Sequence, residues 1–339
     1  LRLTMLSELS PALAAIAAGQ NPGEAARLAV RIAAPDIRPH LGGNVLPGVW
    51  SFAASAPGPH LVVVAVLHGN EIGGAVVLDR WLRAGLRPSR GRLTLVFGNL
   101  DAYARFDPSD PTASRFVDED LNRVWDLETL EGGRRSSELR RARLLRPVFE
   151  SADVLLDLHS MLWPSDPLIL AGRSPRAAAL GLTLGEPALV VADDGHLGGR
   201  RLIDFAAFTA PAAQRTAILL EAGAHWEAAT VATMESTAAR LLRHYATVGL
   251  GDTVLVPAGP KPGPARLVEV TRTVTARTAG FAFIRPFRGG YVVPERNTLL
   301  ALDGEEEVRT PHDDCVLVMP SLRTSPGHTA VRLARFVER

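Results

Sequence analysis

Residues 61–67 read LVVVAVL, an unbroken apolar run of strand length. A strand with one face in water alternates apolar and polar side chains, so a run without alternation belongs to a strand covered on both faces, as in a parallel sheet clothed by helices. The segments that follow keep to this scheme. Residues 72–84 have helical spacing, 93–99 (LTLVFGN) read as the next strand, 136–150 as a helix, 154–158 (VLLDL) as a strand, 217–220 as a strand ending before Glu221, and 228–247 as a helix. Strand and helix in alternation predict an α/β domain with a mixed, largely parallel sheet flanked by helices.

The periphery differs in character. A helix is predicted over 22–34, and the Pro/Gly-rich stretch that follows, through Gly58, breaks regular structure, which makes 1–58 an entry region. Residues 249–264 are again rich in Gly and Pro; beyond them, short β-branched segments near 267–275, 280–284, 291–293 and 315–319 predict a smaller β-rich domain. The expected division is therefore 1–248 and 249–339. A chain of 339 residues is long enough to give each part its own core.

Charge and composition narrow the partners. The formal net charge is +1, with cationic residues spread along the chain, too little to neutralise a phosphate backbone, so no nucleic-acid partner is expected. The longest apolar runs fall far short of the roughly 18 residues that a membrane helix needs, and Glu8 interrupts the N-terminal stretch where a signal peptide would be apolar. The one cysteine, Cys315, allows no internal disulfide and fits a reducing compartment, so a cytoplasmic location is expected. A homo-oligomer is compatible with all of this.

Chemistry gathers where apolar runs end. The first run gives way to His68-Gly69-Asn70-Glu71, a histidine and a carboxylate three residues apart. The strand 154–158 leads into Asp157-Leu158-His159. Ligands in open α/β sheets bind at the carboxyl ends of strands. His68, Glu71 and His159 supply the two nitrogens and one oxygen that a hydrolytic zinc site uses while leaving a position for water. Asp157 precedes His159 by two residues and shares its face of an extended strand, where it can orient the imidazole or bond nearby backbone. A third apolar run ends at Glu221, a carboxylate able to take a proton from water beside a metal and pass it to a leaving amine. Between the first two motifs, residues 115–123 (RFVDEDLNR) are polar, and the neighbours Asn122 and Arg123 suit a carboxylate because the guanidinium fork donates two parallel hydrogen bonds and the amide adds another. Arg115 could stabilise an oxyanion, and the charged segment reads equally as a salt-bridged surface loop. His196, His225 and His328 could serve as pocket or packing histidines, and Trp163 and Trp226 as acyl-pocket walls or core residues.

Taken together, these segments resemble the succinylglutamate desuccinylase and aspartoacylase family, which is related to the zinc carboxypeptidases. His68-Gly69-Asn70-Glu71 and Asp157-Leu158-His159 look like its two metal motifs, residues 115–123 like its substrate-binding segment, and Leu220-Glu221-Ala222-Gly223 like the segment with its catalytic Glu. The resemblance runs from about residue 60 to 245, and the β-rich tail fits the family's smaller C-terminal domain. It implies a zinc-carboxypeptidase-like fold and one zinc held by His68, Glu71 and His159. It also implies Glu221 as general base and acid, Arg115 at the tetrahedral intermediate, and Asn122 with Arg123 on the α-carboxylate of a small substrate, Asp120 positioning the segment. The expected reaction is hydrolysis of the amide of an N-acyl amino acid. A carboxypeptidase for short peptide-like substrates and a binding module that retains zinc without turnover are the rival readings. The chain departs from aspartoacylases in having no tyrosine after Cys315, and only Arg200, Arg201 and Arg215 stand near the place of their arginine for the substrate side chain.

Overall fold

The computed structural model describes residues 28–210, 214–248 and 263–338. The chain divides into two compact units, one comprising Ile32–Ser160 and Pro167–Leu267, the other built on Met161–Asp166 and Val268–Arg339.

The larger unit is organised by seven strands: β1 (Val49–Ala53), β2 (His60–Ala65), β3 (Arg92–Phe97), β4 (Val154–Met161), β5 (Leu168–Leu170), β6 (Leu189–Ala192) and β7 (Thr216–Ala224). Their order is β1-β3-β2-β4-β7-β5-β6. The apolar run at 61–67 supplies β2, central and parallel to both β3 and β4. Leu61, Val62, Val63 and Val64 are fully buried on both faces of the sheet, each side chain contributing about 1.5–3 kcal/mol. β1 joins β3 antiparallel, and β5 joins β7 antiparallel, so the sheet is mixed.

Four longer helices accompany it: α1 (Gly73–Arg83), α2 (Ser137–Glu150), α3 (Pro175–Leu184) and α4 (Ala228–His244). In α1, Val77, Leu78 and Trp81 recur at helical spacing and are fully buried. α2 starts at Ser136, whose Oγ accepts the Leu139 N–H at 2.9 Å, a standard N-terminal cap.

The smaller unit is antiparallel. β8 (Arg266–Thr275), β14 (Thr329–Phe336), β13 (Cys315–Val318) and β10 (Val292–Val293) lie side by side in that order. β12 (Glu306–Arg309), β11 (Leu299–Asp303) and β9 (Phe281–Phe283) make a second, three-stranded sheet. Val274, Leu317 and Leu333 from one sheet, Leu300 and Val308 from the other, and Phe287 from the connection after β9 share one core. The fold is thus the expected mixed sheet with flanking helices plus a β-rich C-terminal region.

Three local expectations fail or change. Residues 28–34 of the helix expected over 22–34 are irregular, and 22–27 lie outside the described residues. Pro35 bars its predecessor from helical geometry, and Pro39 restricts the chain soon after. His159 and Glu221 lie inside β4 and β7 rather than at strand ends, because both strands continue as buried extended chain past the apolar run. The Gly/Pro-rich stretch expected at 249–264 falls mostly outside the described residues.

Candidate active site

The backbone turns out of β2 through Val66, which holds a positive φ of 61° although it is β-branched. Such a conformation is disfavoured and persists only where surrounding structure imposes it, commonly beside a functional site. It delivers His68 and Glu71 into the interior, where both are buried. His159 comes from within β4. The ligand atoms of His68, Glu71 and His159 all lie within 4.8 Å of one another.

The Glu71 carboxylate is the hub. Its Oε1 is 2.7 Å from His68 Nδ1, and its Oε2 is 3.0 Å from His159 Nδ1 and accepts the Ser160 N–H at 2.9 Å. Each imidazole then turns its other nitrogen to a second carboxylate: His68 Nε2 is 2.8 Å from Asp120 Oδ1, and His159 Nε2 is 2.9 Å from Asp157 Oδ2. A carboxylate behind an imidazole can orient the ring and leave the opposite nitrogen, here the one that faces Glu71, for a metal. Two imidazole nitrogens and a carboxylate, buried and convergent, fit a catalytic zinc site. Burial acts to raise the Glu71 pKa, but His68 and His159 outweigh it and hold the carboxyl well below its usual range. Burial likewise acts to lower His159, and Asp157 with Glu71 overcomes it, so the imidazole is held well above its ordinary value.

Arg115 closes one side. Its Nη1 donates to Glu71 Oε1 and its Nη2 to Asp120 Oδ2, both at 3.2 Å. The segment that carries it is drawn against the first motif by the Gly69 N–H, which donates to Arg115 C=O at 3.0 Å. A Cβ on Gly69 would sit 2.4 Å from Ser114 O and from the Ala102 carbonyl carbon, so only glycine permits this approach. Asp120 Oδ1 also accepts the Asn122 N–H at 2.8 Å, which caps the short turn Leu121–Arg123.

The Asn122 side chain is oriented by a distant loop. Leu202 N–H donates to Asn122 Oδ1 at 2.7 Å, which leaves the NH₂ end 3.4 Å from His159 Nε2. Arg123, half-buried, donates through Nη1 to the Asn122 carbonyl at 2.6 Å. The loop itself is locked: Gly199 holds a φ of 134° against the Arg123 carbonyl, and Arg200 bridges Val124 in parallel register. Arg201 is buried between two carboxylates, with both Nη atoms on Asp193 at 2.7 and 2.9 Å and Nε on Asp204 at 2.7 Å. Its side chain is 4% exposed, so of the three arginines available for a substrate side chain it is fully committed to protein. Arg200 and Arg215 are exposed.

Glu221 is buried, its Oε2 accepting no hydrogen bond. Burial first, and then the neighbouring Glu71 carboxylate, pushes its pKa up to about 8, while His159 and Arg115 pull it back. Four residues on, His225 is buried with Nδ1 2.7 Å from Ser160 Oγ, and burial lowers its pKa to about 4. Trp226 donates through Nε1 to Asn70 C=O at 2.8 Å and is likewise buried. His196 lies in the loop beside Arg200, half-buried, while Trp163 and His328 belong to the other unit. The sequence offers Arg201 and His225 among several candidates, but it carries no sign of Asp193 and Asp204 around the one, of Ser160 beside the other, or of Leu202, whose role is played by its backbone.

Residues 57–245 match the model of the succinylglutamate desuccinylase/aspartoacylase catalytic domain. The chain belongs to this family. It is 37% identical over 130 residues to a probable aspartoacylase from Parasynechococcus marenigrum, covering 35% of this chain and 40% of that one. It is 28% identical over 113 residues to the aspartoacylase of Xenopus tropicalis, covering 31% and 34%. The matched stretches thus span about two-fifths or less of these relatives. In fold, it resembles the succinylglutamate desuccinylase of Vibrio cholerae, with a TM-score of 0.65 at 16% identity over 86% of both chains. No helix among the described residues is long and apolar enough to cross a membrane.

Proposed function

We propose that this family member is a zinc-dependent amidohydrolase that cleaves the amide of an N-acyl amino acid, releasing a carboxylic acid and a free amino acid. One observation carries the reading: Glu221, buried and with one carboxylate oxygen unpartnered, stands within electrostatic reach of Glu71, His159 and Arg115. A base so placed beside a metal cluster and a guanidinium has the makings of a hydrolytic centre.

His68, Glu71 and His159 would hold the zinc. When bound, the ion supplies Lewis acidity at the scissile carbonyl and draws down the pKa of nearby acids, water and Glu221 included. Glu221 takes the proton from the attacking water and returns it to the departing amide nitrogen. Arg115 donates to the oxygen that gains charge as the carbonyl becomes tetrahedral. The Asn122 NH₂ group and Arg123 receive the substrate's free carboxylate, and Asp120 keeps His68, Arg115 and the Asn122 backbone in register. Asp157 holds the His159 ring.

Free amino acid released from a panel of N-acyl amino acids by zinc-loaded protein tests the proposal, with Glu221→Gln and a chelated sample alongside. Release by the zinc-loaded wild type alone is expected. Cleavage of dipeptides in preference to every acyl amino acid would move the assignment to a carboxypeptidase, and bound zinc without any turnover would reduce it to a binding module.

A further inference from the structure

Glu138, in the first turn of α2, is fully buried, and its carboxylate accepts four hydrogen bonds. Oε1 accepts the Val117 N–H at 2.7 Å and Asn99 Nδ2–H at 3.0 Å. Oε2 accepts the Asp118 N–H at 3.0 Å and the Glu119 N–H at 3.2 Å. Three of the four donors are consecutive backbone amides of the segment that joins Arg115 to Asp120. The segment answers in kind, since Asp118 Oδ2 accepts the Ser137 N–H at 2.7 Å at the start of the same helix.

No ion pair to Glu138 occurs among the described residues, so its charge is met by amide dipoles. A buried carboxylate without a counter-ion is costly, and on that ground alone a glutamine of equal size is the cheaper occupant. A glutamine cannot do the same work. It offers one acceptor oxygen, and its NH₂ would point at N–H groups that also donate. Only an anion with two oxygens gathers three converging backbone donors, through charge-assisted bonds roughly twice as strong as neutral ones. Residues 115–120 are therefore gripped from both sides, by Glu138 at 117–119 and by the Gly69 N–H on Arg115 C=O. The side chains at the two ends of that gripped stretch are the ones that reach Glu71 and His68.

We infer that Glu138 is a positioning residue, which fixes the backbone of residues 117–119 so that Arg115 meets the developing oxyanion and Asp120 holds His68. Its chemical consequence rests on the deacylase reading above; the clasp itself does not. In zinc-loaded Glu138→Gln, kcat for the best acyl amino acid is expected to fall about 100-fold, as when an oxyanion donor is lost, with KM changed by less than about threefold. Zinc content should stay at the wild-type level, and Arg115→Ala combined with Glu138→Gln should lose clearly less than the product of the two single losses. Losses that multiply, or a kcat within about twofold of wild type, would overturn the inference. Glu138→Asp, which keeps the charge on a shorter arm, should show the same split more weakly and serves if the glutamine variant does not fold. Amide hydrogen exchange reads the clasp without turnover: protection at 117–119 should fall at least about tenfold with other loops unchanged. If the wild type cleaves no acyl amino acid, the deacylase reading fails and exchange alone decides the clasp, unchanged protection at these three amides refuting it.

Discussion

Replacing Arg201 by methionine tests how the loop beside Asn122 is held. The guanidinium bridges Asp193, whose side chain is 1% exposed, and Asp204, 14% exposed, through four hydrogen bonds between 2.7 and 3.1 Å. Methionine fills most of the volume but takes the guanidinium away from two carboxylates at once. Removing one partner of a buried ion pair costs about 3–5 kcal/mol, chiefly because the stranded charge stays out of water. With a urea m-value of about 3 kcal/mol/M, the midpoint should drop by about 1–2 M. Tryptophan fluorescence is a suitable signal, since Trp125 packs against Phe205, one residue past Asp204, with ring centroids 5.9 Å apart. Adding Asp193→Asn should recover about half of the loss, because it removes the more deeply buried of the two charges. A drop under about 1 kcal/mol for Arg201→Met alone would refute the reasoning, showing that the carboxylates find water or other donors once the arginine is gone.

Gly69→Ala should cost about 1–3 kcal/mol and depress turnover, since the added carbon forces the segment carrying Arg115 outward; wild-type melting and kcat would contradict the close approach. Zinc at a hundred times its Kd should stabilise the protein by about 2.7 kcal/mol and raise Tm by about 4 °C, reversed by chelator; the absence of any shift would count against His68, Glu71 and His159 as a metal site. His60 donates through Nδ1 to Ser151 C=O at 2.9 Å and meets Thr94 Oγ1 at 2.8 Å, and burial depresses its pKa below 6.5. The unfolded chain then takes up this proton before the folded one, so stability present above about pH 6.5 should decline as the pH falls toward the folded-state value. Urea midpoints at pH 7.5 and 5.5 should differ less in His60→Gln than in wild type, and equal differences would rule His60 out as the cause.

The parts of the molecule legible in the sequence are those where one physical signal is undiluted. Residues 61–67 are apolar on both faces, and so β2 and the motif at its end could be read directly. β5 and β6, of three and four residues, are too short for periodicity to register, and nothing in the residues of β5 marks it as the strand that pairs antiparallel with β7. In the site, His68, Glu71, His159 and Glu221 stand out because a polar residue interrupts or ends an apolar strand. Glu138 and Arg201 carry no such mark. Glu138 follows the exposed Arg134 and Arg135, Arg201 follows the exposed Arg200, and each is buried where partners elsewhere close over it, at Val117 to Glu119 for one and at Asp193 and Asp204 for the other.

The hydrogen bond from Leu202 N–H to Asn122 Oδ1 sets the sign of what the centre can greet. A backbone amide has no acceptor end, so it always claims the oxygen of residue 122 and always turns the opposite end of that side chain toward His159. With asparagine, this end is a donor, the polarity that the proposed carboxylate substrate would need. With aspartate, nearly identical in shape, whichever oxygen the amide took would leave the other facing inward, and a carboxylate substrate would meet a like charge. The loop therefore acts as a polarity gauge: a peptide bond 80 residues away in the chain decides that asparagine is read as a donor and bars its isostere.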